Sequence, residues 1–275
     1  MKKFRRAAAV TACALVAVGF GISPGDAAAV RTATTWTAPT WDPPAVTAHR
    51  GGGDERPENT MEAFRNAVAV GADTIEFDVR STKDHRLVVL HDRTLNRTTN
   101  CTREVYRWTL AQVRTCRTDG VPQRVPMLTE VLNYLAPHGV AISPEIKEYG
   151  TDMDSNEVAK LVAQVRLRKM GPRTFVQSFN PRVFAQVNRA APAVTTVYLA
   201  YTVIRVTALR QYGADIASVK MTSLSRANVD SYHEQGRRIW TWIADSTPEQ
   251  QRAWTLGVDS VGTDRPTQAL ALYGR

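Results

Sequence analysis

From Ala45 onward the chain alternates short apolar runs with amphipathic helical patterns, and the alternation repeats eight times. Read as strands, the apolar runs span 45–49, 74–79, 140–146, 174–179, 195–199, 216–219, 238–243 and 259–262. Helical patterns follow at 59–70, 128–135, 155–169, 181–189, 202–211, 225–235, 248–256 and 266–270. Asn180-Pro181, Thr247-Pro248 and Arg265-Pro266 place proline in a first helical turn, and Ser155 and Ser225 are candidate caps. Gly71, Gly171, Gly213, Gly236 and Gly257 are placed to close helices. Eight strand–helix units predict an α/β protein, a closed parallel TIM (β/α)8 barrel. An open doubly wound sheet would fit fewer units, and Gly51-Gly52-Gly53 does not match the dinucleotide-binding pattern.

One apolar run breaks the alternation. Leu87–Leu90 follows the second strand after only Thr82-Lys83-Asp84-His85-Arg86. A parallel crossover needs about a dozen residues or more, so these runs predict a hairpin, with a short insertion after it. With the turn centred on Asp84-His85, Asp78 is expected opposite His91.

The barrel expectation gives the polar residues within the strands a meaning, because such folds place functional groups at the C-terminal ends of strands. His49 ends the first. Glu76 and Asp78 lie two apart on the second and share a face, as do Glu145 and Lys147 on the third. Charges within the apolar run Thr74–Val79 need a partner or a metal when buried. Three carboxylates suit a hard divalent cation, Ca²⁺ or Mg²⁺, whereas zinc prefers nitrogen or sulfur. His49 and His91 beside that cluster fit a general acid–base pair, with Arg50 and Lys147 to hold phosphate oxygens or to pair with the same carboxylates. At Glu58-Asn59-Thr60 two roles are open: Asn59 or Thr60 caps the first helix, or Glu58 reaches the metal or a histidine. Trp240 and Trp242 share a face of the seventh strand and either line the mouth against substrate or pack in the core. His85, His138 and His233 read as ordinary surface residues.

The N-terminus adds a compartment. A basic cluster (Lys2, Lys3, Arg5, Arg6), an apolar run to Ile22 and small residues at 27–29 form the pattern of a secretory signal peptide, 1–29. The apolar run of about 16 residues is short of the roughly 20 that span a membrane, so no stable membrane insertion is expected. Residues 30–44 read as an N-terminal arm and 45–275 as the barrel domain. Without 1–29 the net charge falls from +9 to +6, and no basic run interleaves with aromatics. This excludes a nucleic-acid patch and leaves transient contact with anionic surfaces. Cys13 leaves with the signal, and Cys101 and Cys116, an even pair in an exported chain, are expected to form a disulfide.

His49-Arg50-Gly51 with Pro57-Glu58-Asn59-Thr60, Ile75-Glu76-Phe77-Asp78-Val79, His91-Asp92, Arg97-Thr98-Thr99, Glu145-Ile146-Lys147, Gln177-Ser178-Phe179, Trp240-Thr241 and Thr263-Asp264-Arg265-Pro266 together resemble the glycerophosphodiester phosphodiesterase family. The resemblance runs from about 48 to 266. It implies a Ca²⁺- or Mg²⁺-dependent hydrolysis of small glycerophosphodiesters, such as glycerophosphocholine and glycerophosphoethanolamine, to glycerol 3-phosphate and an alcohol. It further implies Glu76, Asp78 and Glu145 as metal ligands, His49 and His91 as the acid–base pair, and a cyclic phosphate formed by the substrate's own hydroxyl. Trp242-Ile243 departs from the family's usual Val-Asn, and Pro144 is unusual within a barrel strand. Two other readings remain: a phospholipase D-like enzyme acting on lysophospholipid or sphingomyelin, and an inactive barrel serving as a binding module.

Overall fold

The computed structural model describes residues 43–147 and 153–275. The expected signal segment and nearly all of the N-terminal arm lie outside the described residues. Nine strands form one sheet: β1 (Ala45–Ala48), β2 (Thr74–Ser81), β3 (Leu87–Val89), β4 (Ala141–Ile146), β5 (Phe175–Ser178), β6 (Thr195–Ala200), β7 (Ile216–Lys220), β8 (Arg238–Trp242) and β9 (Ser260–Thr263). Every strand except β3 runs parallel to its neighbours, and β1 pairs with both β2 and β9, which closes an eight-stranded barrel. Between the strands lie α1 (Met61–Val70), α2 (Leu110–Val113), α3 (Leu128–Leu135), α4 (Ser155–Leu167), α5 (Arg182–Ala190), α6 (Val206–Gln211), α7 (Arg226–Glu234) and α8 (Thr247–Leu256), and α9 (Pro266–Leu272) follows β9. The expected barrel with a hairpin after the second strand is therefore the fold.

Alternation along β2 explains how the layers divide. Ile75, Phe77 and Val79 are fully buried in the large core between sheet and helices, where Phe77 meets Phe64 of α1 edge to face at 5.7 Å. The alternate residues Glu76 and Asp78 point the other way, as the pleat requires. Phe175, Val197, Ile216 and Trp240 form a separate cluster that packs the barrel interior. Residues 88–125 bury a third, small cluster around Leu95, Val105 and Val113, and the Cys101–Cys116 disulfide ties it, with Cα atoms 5.7 Å apart.

Several local expectations are corrected. Asp154, not Ser155, caps α4, accepting from Asn156 N while Glu157 reaches back to its backbone. Lys169 (φ 56°), not Gly171, takes the left-handed position after that helix. The helix expected from residue 202 starts only at Val206. Pro144 sits where the β4–β5 ladder is interrupted, and the Ser143 hydroxyl donates to Phe175 O there. The hairpin register is shifted by one: Val79 faces Val89, Arg80 faces Val88, and Leu90 N donates to Asp78 O. Asp78 therefore lies opposite Leu90 rather than His91. The cause is an odd-numbered turn, closed by Thr82 N to Arg86 O and His85 N to Thr82 O, with His85 left-handed at φ 56°.

Candidate active site

At the C-terminal ends of the strands a cavity of about 180 Å³ opens, lined by His49, Arg50, Glu76, His91, Glu145 and Lys147 on one side. His49 and Arg50 lie in a tight turn directly after β1, where Arg50 has φ 51°. The glycines that follow make this turn possible. A Cβ on Gly51 (φ 84°) would come within 2.8 Å of Ala63 Cβ, and one on Gly52 (φ 91°) within 2.9 Å of Pro266. The turn can thus press against α1 and α9 only because these positions lack side chains.

Glu76, Asp78 and Glu145 are buried and bring ligand oxygens within 4.8 Å of one another. Each carboxylate is oriented by the protein. Glu76 accepts from Arg50 N at 2.7 Å and from Gln177 Nε2 at 3.0 Å. Asp78 Oδ2 accepts from Asn59 Nδ2 at 2.7 Å, while Asn59 Oδ1 takes Asp78 N at 3.2 Å. Lys147 Nζ lies 2.7 Å from Glu145 Oε1 and 3.1 Å from Asp78 Oδ1. Asp78 Oδ1 is buried without a well-directed hydrogen bond. Burial, then the Asp78 charge, push Glu76 up to about 8. Burial opposes ionisation of Asp78 too, but the cations Lys147, His91 and Arg50 hold it below the usual carboxylate range. So dense a set of buried acids is costly without a cation, and its all-oxygen donors fit a hard divalent ion.

Both histidines line the cavity, each held through Nδ1 by a carboxylate. His49 Nδ1 is 2.7 Å from Asp264 Oδ1, and His91 Nδ1 is 2.6 Å from Asp92 Oδ1. Their environments differ in sign. Burial lowers the pKa of His49, but the Asp264 hydrogen bond and the Glu76 charge outweigh it, and the net shift is upward. Burial also lowers His91; Asp78 only partly offsets this, Lys147 and Arg50 add to it, and the net shift is downward.

The Glu58-Asn59-Thr60 segment divides its work. Thr60 caps α1 by accepting from Ala63 N, and Asn59 (φ 57°) positions Asp78. Glu58 reaches neither a histidine nor the carboxylate cluster, because two arginines claim it: Arg50 at 3.1 Å and Arg97 at 2.7 and 2.8 Å. Arg97 also grips Asp92 at 2.8 and 3.0 Å, so a chain of charges runs His91–Asp92–Arg97–Glu58–Arg50. Trp240 is buried on the cavity floor against Phe175, and Trp242 stands at the mouth beside Phe179 and Tyr201. The sequence alone does not mark Asp264, Asp92, Arg97 or Gln177 as the groups that orient the histidines and carboxylates. A signal existed for Asp264: a carboxylate just past the last strand must lie beside the first strand once the barrel closes.

The Glycerophosphoryl diester phosphodiesterase family model matches residues 49–268, a span that starts at His49 and includes both histidines and the three buried carboxylates. The chain belongs to this family. It is therefore an enzyme of a phosphodiesterase class. A glycerophosphodiester phosphodiesterase of Caldanaerobacter subterraneus subsp. tengcongensis is 30% identical over 238 residues, covering 82% of this chain and 96% of that protein. A putative glycerophosphoryl diester phosphodiesterase from Silicibacter pomeroyi superposes with TM-score 0.76 at 26% identity, covering 84% of this chain and 93% of that one. The Oleispira antarctica phosphodiesterase OLEI02445, solved in complex with the product sn-glycerol-3-phosphate, shares the fold at TM-score 0.75 and 20% identity, covering 84% and 97% of the two chains. Among the described residues, no helix of this family member is long and apolar enough to cross a membrane.

Proposed function

We propose that this enzyme hydrolyses glycerophosphodiesters, among them glycerophosphocholine and glycerophosphoethanolamine, to glycerol 3-phosphate and an alcohol. The observation that carries the reading is the pair of carboxylate-held histidines, shifted in opposite directions, in one cavity beside a cluster of three buried acids. Binding of sn-glycerol-3-phosphate by the Oleispira antarctica protein of like fold supports the product assignment.

Glu76, Asp78 and Glu145 would hold Ca²⁺ or Mg²⁺, which when bound supplies Lewis-acid stabilisation of phosphoryl charge. The rest of the chemistry belongs to side chains. His91, favoured neutral, takes the proton of the substrate glycerol's hydroxyl as that oxygen attacks phosphorus. His49, favoured protonated, gives its proton to the leaving-group oxygen as the P–O bond breaks. The resulting cyclic phosphate is opened by water with the two roles exchanged. Arg50 and Lys147 hold the phosphate oxygens, a role supported by their place in the lining of the same cavity as the two histidines. Export of the chain completes the proposal, and the Cys101–Cys116 bond supports it, since such bonds persist in oxidising compartments.

The test is an assay of alcohol release from the two diesters with added Ca²⁺ or Mg²⁺, repeated in EDTA and with His49→Ala and His91→Ala. Metal-dependent release, lost by about 10²–10⁴-fold in each variant, is expected. Wild-type rates in either variant would sink the acid–base assignment.

A further inference from the structure

The cavity is divided by chemistry. Its charged lining comes from the ends of β1 to β4, whereas the ends of β5, β6 and β8 contribute Phe179, Tyr201, Trp242 and Ile243 and no charge. Phe179 and Tyr201 stack with centroids 5.1 Å apart, and Trp242 meets them edge-on at 5.7 and 5.4 Å. We infer that this aromatic wall is the leaving-group site and that it takes a quaternary ammonium headgroup of the choline type. The inference rests on the proposed phosphodiesterase reading and narrows its substrate class.

Three observations select that chemistry. First, three of the polar side chains beside the wall are engaged within the protein: Trp242 Nε1 with Ser218 O at 3.0 Å, Thr241 Oγ1 with Val219 O at 2.9 Å, and Gln177 Nε2 with Glu76 at 3.0 Å. A headgroup rich in hydroxyls, or a primary ammonium, is discriminated by hydrogen bonds made to it, and these groups are committed elsewhere. A trimethylammonium asks for none. Second, the ring faces carry a negative quadrupole, which attracts a methylated cation without a carboxylate partner. Third, the apolar surface is short. Of the exposed large hydrophobic side chains among the described residues, only Phe179 (36% exposed) and Tyr201 (64%) belong to this rim. Tyr212 packs against Tyr198 and Trp254 against Tyr273, away from the cavity. Two exposed rings suit a small headgroup better than an acyl chain.

The experiment compares kcat/KM of the metal-loaded enzyme for glycerophosphocholine, glycerophosphoethanolamine, the uncharged 3,3-dimethylbutyl diester and lysophosphatidylcholine. Tyr201→Leu and Phe179→Leu are run alongside; both keep apolar contact and remove a ring face. Choline is expected to exceed both the ethanolamine and the dimethylbutyl diester by about three- to thirtyfold, the range of one cation–π contact. Both ratios should fall toward one in the leucine variants. Equal turnover of the choline and dimethylbutyl diesters, ratios unmoved by both substitutions, or a preference for the lysolipid would overturn the inference. Turnover without choline preference would overturn it alone, whereas no turnover of any diester would overturn the phosphodiesterase reading and this inference together.

Discussion

Asp264 Oδ1 holds His49 Nδ1 at 2.7 Å across 215 residues of sequence. The contact exists because β9 closes the barrel onto β1, with Thr263 beside Ala48 in register. Its consequence is a cavity-lining histidine whose protonated form is favoured.

Asp264→Asn should lower kcat/KM by about 10²–10³-fold, since His49 loses its anionic partner. Asp264 raises the His49 pKa, so its removal lowers that pKa. A group that must act as an acid then loses its proton earlier, and the alkaline limb of the pH–rate profile should move to lower pH. A limb that stays in place in the variant would refute His49 as the acid.

Arg97 clamps two carboxylates that serve different groups, Asp92 behind His91 and Glu58 behind Arg50. Arg97→Ala should reduce kcat/KM by about 10- to 100-fold, in keeping with loss of an orienting partner. Arg97→Lys keeps the charge but not the planar fork, and should recover only part of the loss. In combination with Asp92→Asn the effects should be less than additive, because both act through His91. Strict additivity of the two substitutions would count against a shared path.

The Cys101–Cys116 bond closes a loop with a sequence separation of 15 around its own small core. Replacing both residues by serine should cost about 3 kcal/mol of unfolding free energy in a urea titration. An unchanged midpoint would show that the insertion holds without its staple.

As a proposed metal ligand, Glu76 would link metal binding to pH. Burial, then Asp78, raise it from 4.5 to about 8, so the metal-free folded state binds more protons than the unfolded chain between those values. The stability from this group is therefore present below pH 4.5 and is lost as pH rises through about 8. Melting temperatures in EDTA should fall across that window, and saturating Ca²⁺ or Mg²⁺ should flatten the decline while releasing protons on binding. Parallel pH profiles with and without metal would contradict the assignment of Glu76 as a ligand.

The strands, most helices and the strand-end carboxylates were legible because their signals are local. A strand shows its two-residue alternation within a few positions, so Glu76, Asp78, Glu145 and Lys147 could be placed on the cavity side without coordinates. The short polar link after β2 likewise forced a hairpin. Its register was not legible, because a left-handed His85 and an odd-numbered turn are choices of backbone conformation that Thr82–Arg86 do not announce. Which group Glu58 would meet was not legible for a related reason: its partner Arg97 lies 39 residues away in the insertion.

By itself the sequence determined the barrel, the acid-and-histidine inventory and the strand ends that carry it, since periodicity and link length act over a few residues. Only the tertiary structure decided how those groups are held. Asp264 reaches His49, Gln177 reaches Glu76 across 101 residues, and Phe179, Tyr201 and Trp242 meet on one wall because eight strands close on themselves. Closure brings together side chains remote in sequence, and no pattern along the chain records which of them will touch.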